Sequence, residues 1–287
     1  MMFDIAIIGG GPAGLSSAVT GAIRKKKIAL FEQGEFSAKL QKAHTVDNYV
    51  GLPEISGKDL MQKMADHALS YEEVSLIKEK VTNIFIDNDN FMILTNKGNY
   101  QAKSVIMAIG VAPAKLLPGE KEFLGRGVSY CATCDGMLYK GKEVVVIGYT
   151  AEAEHEAEYL AEICEKVTYL PQYKMSDEKK YSFIVKKDII KEIVGTMKVE
   201  QLVLGQETIA ADGIFIIRAT DPIDNIFPEL ALENQVVKVD RDMATNIKGV
   251  FAAGDCIGKP WQISKASGEG LVAIHSVINY LNIKNNL

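Results

Sequence analysis

Apolar runs of strand length punctuate the chain, and each breaks into glycine or a polar turn. The first, residues 3–8, ends in Gly9-Gly10-Gly11-Pro12-Ala13-Gly14. A helix-compatible stretch follows to about Arg24, and residues 28–31 form a second apolar run that stops at Glu32. That order predicts a β-α-β unit. Residues 81–86 and 91–95 flank Asp87-Asn88-Asp89-Asn90, a hairpin signal, and residues 105–109 read as a further strand. The pattern restarts at residues 144–148, with a helix to about Cys164 and a strand at 167–170. Adding 139 to the first unit's numbers lands on the second: Ile5 meets Val144, Gly9 meets Gly148, Ile28 meets Val167. Such a repeat predicts an α/β chain with two Rossmann-like, dinucleotide-binding lobes, each of three layers. A late strand ends in Gly254-Asp255, and a helix begins near Ser264.

Length and composition narrow the classes. The 287 residues allow one large domain or two ordinary ones, and 47% hydrophobic with 24% charged residues excludes disordered and collagen-like chains. No apolar run is long enough for a transmembrane helix, so no membrane partner is expected. The start lacks a basic region before its apolar run and does not read as a secretory signal. A formal charge of −5 argues against a general nucleic-acid binder. Residues 1–112 carry 12 basic and 12 acidic groups, residues 113–240 carry 15 and 22, and residues 241–287 carry 5 and 3. The acidity belongs to the middle of the chain.

Gly9, Gly11 and Gly14 fit G-x-G-x-x-G between a strand and a helix. The first glycine makes the turn, the second lets backbone approach a pyrophosphate, and the third packs helix on strand. The helix N-terminus offers unpaired N–H groups and partial positive charge to the phosphates. Glu32 is placed to accept hydrogen bonds from a ribose. Gly254-Asp255 favours FAD over NAD, because a late carboxylate can hold the ribityl and phosphate region while the helix opening near Gln262 faces the flavin. A ligand-free glycine turn and an ordinary Gly-Asp turn are the plainer readings. Cys131-Ala132-Thr133-Cys134, followed by Asp135, reads as half a zinc site or as a dithiol–disulfide couple. A second Cys-x-x-Cys is missing and the four histidines lack ligand spacing, so no metal is expected. The favoured reading is redox, with Asp135 managing the thiolate proton. Cys164 and Cys256 read as packing residues.

These pieces, with Ala108-Ile109-Gly110 and the stretch KEFLGRGVSYCATCDG at 121–136, resemble the low-molecular-weight thioredoxin reductases over nearly the whole chain. The resemblance implies a FAD domain in two parts, residues 1–112 and 243–287. A pyridine-nucleotide domain, residues 113–242, is inserted between them and carries the cysteine pair. It implies a cytoplasmic homodimer acting on thioredoxin. It places Gly9, Gly11, Pro12, Ala13, Gly14, Glu32, Gly110, Gly254, Asp255, Gln262 and Ile263 around FAD, and Asn48 near the flavin ring. By position, Cys134 lies next to the flavin, Cys131 attacks thioredoxin, and Asp135 donates the proton.

The second lobe departs from the family. Its motif reads Gly148-Tyr149-Thr150-Ala151-Glu152-Ala153, so Thr150 replaces the second glycine. Glu152, Glu154, Glu156 and Glu158 crowd the helix start, where a carboxylate about 7 Å from a phosphate costs about 2 kcal/mol at an effective dielectric near 20. Pro171 stands where Glu32 repeats, Gln172-Tyr173-Lys174 replaces His-Arg-Arg, and Arg218-Ala219-Thr220-Asp221-Pro222 replaces a Gly-x-x-Pro turn. An intact dithiol beside a dismantled hydride site is similar to the ferredoxin-dependent flavin thioredoxin reductases, which use no pyridine nucleotide. Residues 24–27 (Arg-Lys-Lys-Lys) are either a docking cluster for an acidic ferredoxin or a solvated helix end. An NADPH enzyme with an atypical site and a non-catalytic flavin redox sensor are the alternatives.

Overall fold

A computed structural model describes residues 2–34, 36–41, 43–110, 116–175, 180–218 and 221–285. The chain opens with β1 (Met2–Phe3), β2 (Ile5–Ile8), α1 (Pro12–Ile23), β3 (Ile28–Phe31), α2 (Ala38–Gln41), α3 (Gly57–Leu69) and β4 (Val74–Ile77). Next come β5 (Val81–Asp87), β6 (Asn90–Thr95), β7 (Asn99–Ala102), β8 (Val105–Met107) and β9 (Val128–Ser129). α4 (Ala132–Asp135) precedes β10 (Glu143–Gly148), α5 (Ala153–Ile163), β11 (Lys166–Pro171) and β12 (Ile184–Val185). β13 (Ile190–Gly195), β14 (Val199–Leu204), β15 (Thr208–Ala210) and β16 (Gly213–Ile217) follow. α6 (Ile223–Ile226), β17 (Leu232–Glu233), β18 (Val236–Val237), β19 (Val250–Ala252) and α7 (Ile263–Asn285) end the chain.

Two compact units result, residues 1–112 with 222–287, and residues 113–221. The first is built on a parallel sheet in the order β19-β8-β2-β3-β4. Every residue of β2, β3, β8 and β19 is buried. Continuous apolar strands of this kind require cover on both faces. Helices α1, α3 and α7 cover one face, around Ile5, Ile7, Leu15, Leu30, Met61 and Ile274. The sheet β1-β7-β6-β5 covers the other, around Ile8, Phe31, Ile84, Ile93 and Met107. Its hairpin turns where the sequence predicts, with Asp87 paired to Asn90 and Asn88 at φ 52°.

The second unit repeats the plan. Its parallel sheet runs β12-β11-β10-β16-β9, with α5 against Val144, Val146 and Phe215 on one face. The antiparallel β13-β14-β15 packs against Val145, Ile147 and Ile214 on the other. The 139-residue repeat holds to the register: Ile5 pairs with Ile28, and Val144 pairs with Val167. Both units are therefore three-layer α/β folds.

Two expectations differ from the structure. The inserted segment ends at 221, not 242. Residues 223–237 bring Ile223, Ile226, Phe227, Leu230 and Val237 into the core of the first unit, beside Ile84 and Phe91, so their apolar surface assigns them there. The other expected boundary, 112/113, lies outside the described residues. The strand expected at 105–109 stops at Met107, and Ala108 to Gly110 turn away, with Gly110 at φ 74°.

The second unit also buries an ion pair that sequence patterning does not reveal. Glu120 is fully buried and takes both ends of the Arg218 fork, at 2.5 and 2.8 Å. Burial opposes the charge on Arg218, and the Glu120 carboxylate outweighs it, leaving the guanidinium pKa raised. Glu120→Ala strands that cation in the interior, and breaking a buried pair from one side costs about 3–5 kcal/mol. The expected result in a urea titration is a loss of that size, with the double variant Glu120→Leu/Arg218→Met recovering most of it.

Candidate functional site

The first unit contains a cleft of about 530 Å³ where β2 runs into α1. The three motif glycines divide their tasks. A Cβ on Gly9, which sits at φ 107°, would strike the Ala108 carbonyl, and one on Gly14 would strike the Gly9 carbonyl. Those two are demanded by the protein's own packing. Gly11 has no atom within 4 Å of its Cβ position, and neither does Gly110. Both line the cleft. The space beside Gly11 is a cradle for a ligand that must approach the backbone closely. α1 begins there with Pro12 at its first position and no side-chain cap at its N-terminus. Its first N–H groups, which no helix can satisfy internally, are left for an anion.

The cleft brings together Gly11, Pro12, Ala13, Asn48, Gly110, Gly254, Asp255, Gln262 and Ile263, nine residues singled out from sequence. Asn48 and Gln262 meet directly, Nδ2 donating to Oε1 at 2.8 Å. Gly9, Gly14 and Glu32 stand outside the lining. The Glu32 carboxylate accepts the Gly10 N–H at 2.8 Å, so it braces the glycine turn in addition to any contact with a ribose. Burial pushes its carboxyl above the ordinary range, and the backbone N–H groups of Gly10 and Gly34 hold it partly back.

Sequence reasoning missed Lys265 and Glu269. Glu269 accepts the Gly254 N–H at 3.0 Å, while Lys265 donates to the carbonyls of Gly254 and Gly258 and pairs with Glu269 at 3.0 Å. One turn apart on α7, they hold the Gly254-Asp255 bend against the helix. Their i,i+4 spacing was the available signal. Trp261, the single tryptophan, also lines the cleft, half-exposed and with the Lys259 ammonium 5.3 Å from its ring centre. Residues 24–27 close the far end of α1, about 18 Å from Pro12 for a 12-residue helix. Lys25 there pairs with Glu73 at 2.6 Å. They lie at the end of α1 away from the cleft.

In the second unit Cys131 and Cys134 are joined in a disulfide. Cys131 is buried and Cys134 is exposed. Ser129 links the neighbours: its hydroxyl donates to Asp135 Oδ2 at 2.7 Å and accepts the Cys131 N–H at 3.1 Å. Glu156 Oε2 accepts the Ala132 N–H at 3.0 Å. Tyr130, next to Cys131, donates its hydroxyl to Glu120 at 2.8 Å. The other two cysteines are not part of this group. Burial pushes the Cys256 thiol up to about 12, and its S–H donates to the Met107 and Ala253 carbonyls. Burial also raises Cys164.

The turn that repeats the first cradle carries side chains where the first has glycines. Tyr149 replaces Gly10, and its ring lies 4.8 Å from the Arg218 guanidinium. A Cβ on Gly148 would strike the Tyr169 hydroxyl. α5 opens only at Ala153, two residues later than the repeat implies. Glu154 turns inward, accepting from Tyr173 at 2.6 Å and Tyr181 at 3.0 Å. Glu158 accepts the Ser182 N–H at 3.2 Å. Of the four glutamates read from sequence as a charge barrier, Glu154, Glu156 and Glu158 also accept hydrogen bonds within this unit. The replaced Gly-x-x-Pro turn includes Ala219 and Thr220, which lie outside the described residues.

A bare dinucleotide cradle and a disulfide between cysteines three apart are the parts of an enzyme that passes electrons to or from disulfides. The comparisons agree. A model of the pyridine nucleotide-disulphide oxidoreductase family matches residues 3–270, and the chain belongs to that family. A thioredoxin reductase of Bacillus subtilis (strain 168) is 33% identical over 302 residues, covering 98% of this chain and 95% of that protein. Among solved structures, a ferredoxin-flavin thioredoxin reductase from Clostridium acetobutylicum is 42% identical, with a TM-score of 0.95 and full coverage of both chains. The atypical thioredoxin reductase TRi from Desulfovibrio vulgaris Hildenborough is 29% identical, with a TM-score of 0.66 and 98% of each chain covered.

FAD is the cofactor, and the open space at Gly11 and Gly110 fits it. Gly11→Val puts its Cβ where no protein atom lies within 4 Å, so the variant should fold normally and purify without flavin. Gly14→Ala should instead lower thermal stability, because its methyl has nowhere to go. Flavin absorbance per chain and a melting curve separate the two outcomes.

Proposed function

We propose that this chain is a thioredoxin-disulfide reductase that draws its electrons from reduced ferredoxin and not from NADPH or NADH. One observation carries the reading: the two repeats share a turn, which is open at Gly11 in the first and carries Tyr149 and Thr150 in place of Gly10 and Gly11 in the second. A pyridine nucleotide would meet a threonine side chain at the position where the first unit has Gly11. The 42%-identical relative bears ferredoxin and flavin in its own name, which supports the same donor here.

Gly11, Pro12 and Ala13 hold the phosphates of FAD, with Gly9 and Gly14 shaping the turn. Glu32 takes the ribose end, Asp255 and Gly254 the central region, and Asn48, Gln262, Ile263 and Gly110 the opposite end. Bound FAD supplies a two-electron store that a one-electron donor can fill and a disulfide can empty. The dithiol then works by exchange. A thiolate of the pair attacks a thioredoxin sulfur, breaking that S–S bond and forming a mixed disulfide. The second thiol breaks the mixed bond, which restores Cys131–Cys134 and frees thioredoxin with both thiols. The resemblance gives the attack to Cys131, whose burial requires that its sulfur be uncovered first. Asp135, held by Ser129, moves the proton. The homodimer and a cytoplasmic, reducing setting complete the proposal.

The energy suffices. A ferredoxin near −400 mV and a thioredoxin near −270 mV differ by about 130 mV, about 6 kcal/mol for two electrons.

Two experiments test this reading. Cys131→Ser and Cys134→Ser should each lower thioredoxin turnover at least a thousandfold while keeping FAD bound, since a serine oxygen cannot form the mixed disulfide. Anaerobic titration of the flavin absorbance should show bleaching by reduced ferredoxin and none by millimolar NADPH or NADH. Rapid bleaching by either nucleotide overturns the donor assignment, and bleaching without thioredoxin turnover points to a sensor.

A further inference from the structure

One short helical turn, Asp255–Ile257, carries Asp255 at the flavin cleft, and glycine stands at both of its ends. Gly254 sits at φ 86° and Gly258 at φ 114°. Two such positions are hinges, because glycine moves freely through a region of backbone space that other residues avoid. Lys265 on α7 spans them. Its ammonium donates to the Gly258 carbonyl at 2.6 Å and to the Gly254 carbonyl at 3.0 Å, and it pairs with Glu269 at 3.0 Å. An ammonium carries three donors, and these three acceptors match them in number. Glu269 in turn accepts the Gly254 N–H at 3.0 Å, so Gly254 is held through both of its peptide groups. Helix energetics argue against this placement. Lys265 lies in the first turn of α7, where the helix dipole favours anions, and a lysine four residues before a glutamate is the weaker order of such a pair. Both side chains are also largely out of water, 17% and 19% exposed, which costs free energy for any charge. A pair that the helix itself disfavours is placed for the turn it holds.

We propose that Lys265 is a positioning residue for FAD, locking with Glu269 the two glycine hinges so that Asp255 meets the cofactor in a preset place. The inference rests on FAD lying in this cleft against Gly254 and Asp255, and it requires nothing of ferredoxin or thioredoxin. Lys265 is not among the residues that line the cleft, and it acts through the carbonyls at the two ends of the turn. A turn already held in its binding shape spares FAD the cost of ordering it, which lowers the dissociation constant. Without the clamp, part of the binding free energy goes into fixing residues 254–258.

The test removes the clamp while keeping the pair's net charge at zero. In the double variant Lys265→Met/Glu269→Gln the amide oxygen still accepts the Gly254 N–H, and the ties to the two carbonyls are gone. Full-length holoprotein is diluted in steps, bound and free FAD are separated by ultrafiltration, and the dissociation constant is read from their ratio. The double variant should bind FAD at least about fivefold more weakly than the parent. The rise in melting temperature on adding excess FAD should shrink with it. A pair with a purely structural role would instead lower the melting curve equally at every FAD concentration. Lys25→Met/Glu73→Gln, which removes the ion pair at the far end of α1, should leave the constant within about twofold. Should the double variant fail to fold, Lys265→Gln, whose amide keeps two donors, is read in its place, with a loss of at least about threefold expected. A smaller loss, or a melting curve lowered equally with and without FAD, overturns the proposal. If Gly11→Val then still purifies without flavin, the cleft assignment stands and Lys265 alone is excluded. If Gly11→Val keeps its FAD as well, both readings fall.

Discussion

The empty volume beside Gly11 is the constraint around which the first unit is arranged. It exists because backbone is packed against backbone on either side of it. Gly9 lies on the Ala108 carbonyl, Gly14 on Gly9, and Gly270 of α7 on the Ala13 carbonyl. Ser17 ties the two helices by donating to the carbonyls of Ala13 and Gly270, each at 2.9 Å. Side chains at those points would push α1 away from β2 or from α7. With them absent, the N-terminus of α1 faces open space, and the late Gly254-Asp255 bend arrives at the same place. Glycine sacrifices unfolded-chain freedom at each position. The return is a surface of bare peptide groups that no side-chain array reproduces.

The second unit begins from the same backbone plan and closes the volume. Tyr149 and Thr150 occupy positions where the first unit has glycine, and Arg218 lies over the Tyr149 ring. Such a change cannot be made piecemeal. A buried guanidinium requires a counter-charge, which Glu120 supplies, and Glu120 in turn receives the Tyr130 hydroxyl beside Cys131. Glu154 likewise sits among aromatic rings, and Tyr173 and Tyr181 satisfy its oxygens. Buried charge demands partners, and here each has them. The redox turn benefits, because three of its anchors, Glu120, Glu156 and Ser129, belong to this rigid frame.

Much of this was legible in the chain because it rests on local chemistry. The repeat at 139 residues appears as strand register, and the glycine motif, the late Gly-Asp bend and Asn48 converge on one cleft. The readings that missed share a cause. Residues 223–237 look like a continuation of the inserted segment, but which core receives Phe227 and Leu230 is decided by long-range packing that periodicity does not encode. Glu154 and Glu156 were read from helix position as an outward barrier. Their side chains instead found specific acceptor roles, one with two tyrosines and one with a peptide N–H. Sequence spacing states what a residue is and where it falls on a helix. Its hydrogen-bond partner depends on the element opposite.

The two units consequently stand in different relations to ligand. In the first, backbone donors and an apolar cleft remain exposed until a dinucleotide covers them, so binding adds to stability in proportion to the logarithm of ligand concentration over its dissociation constant. In the second, the Tyr149 ring lies against Arg218, and Tyr173 and Tyr181 hold Glu154 at the start of α5. That asymmetry suits an enzyme whose dithiol must hold its geometry whatever the nucleotide pool contains. A lobe that kept a usable second cradle would tie the redox turn to nucleotide occupancy through β10 and α5, because Glu156 and the turn at Tyr149 belong to the same strand–helix junction. Side chains at Tyr149 and Thr150 work against that tie and leave the cysteine pair to its own peptide groups and their hydrogen-bond partners.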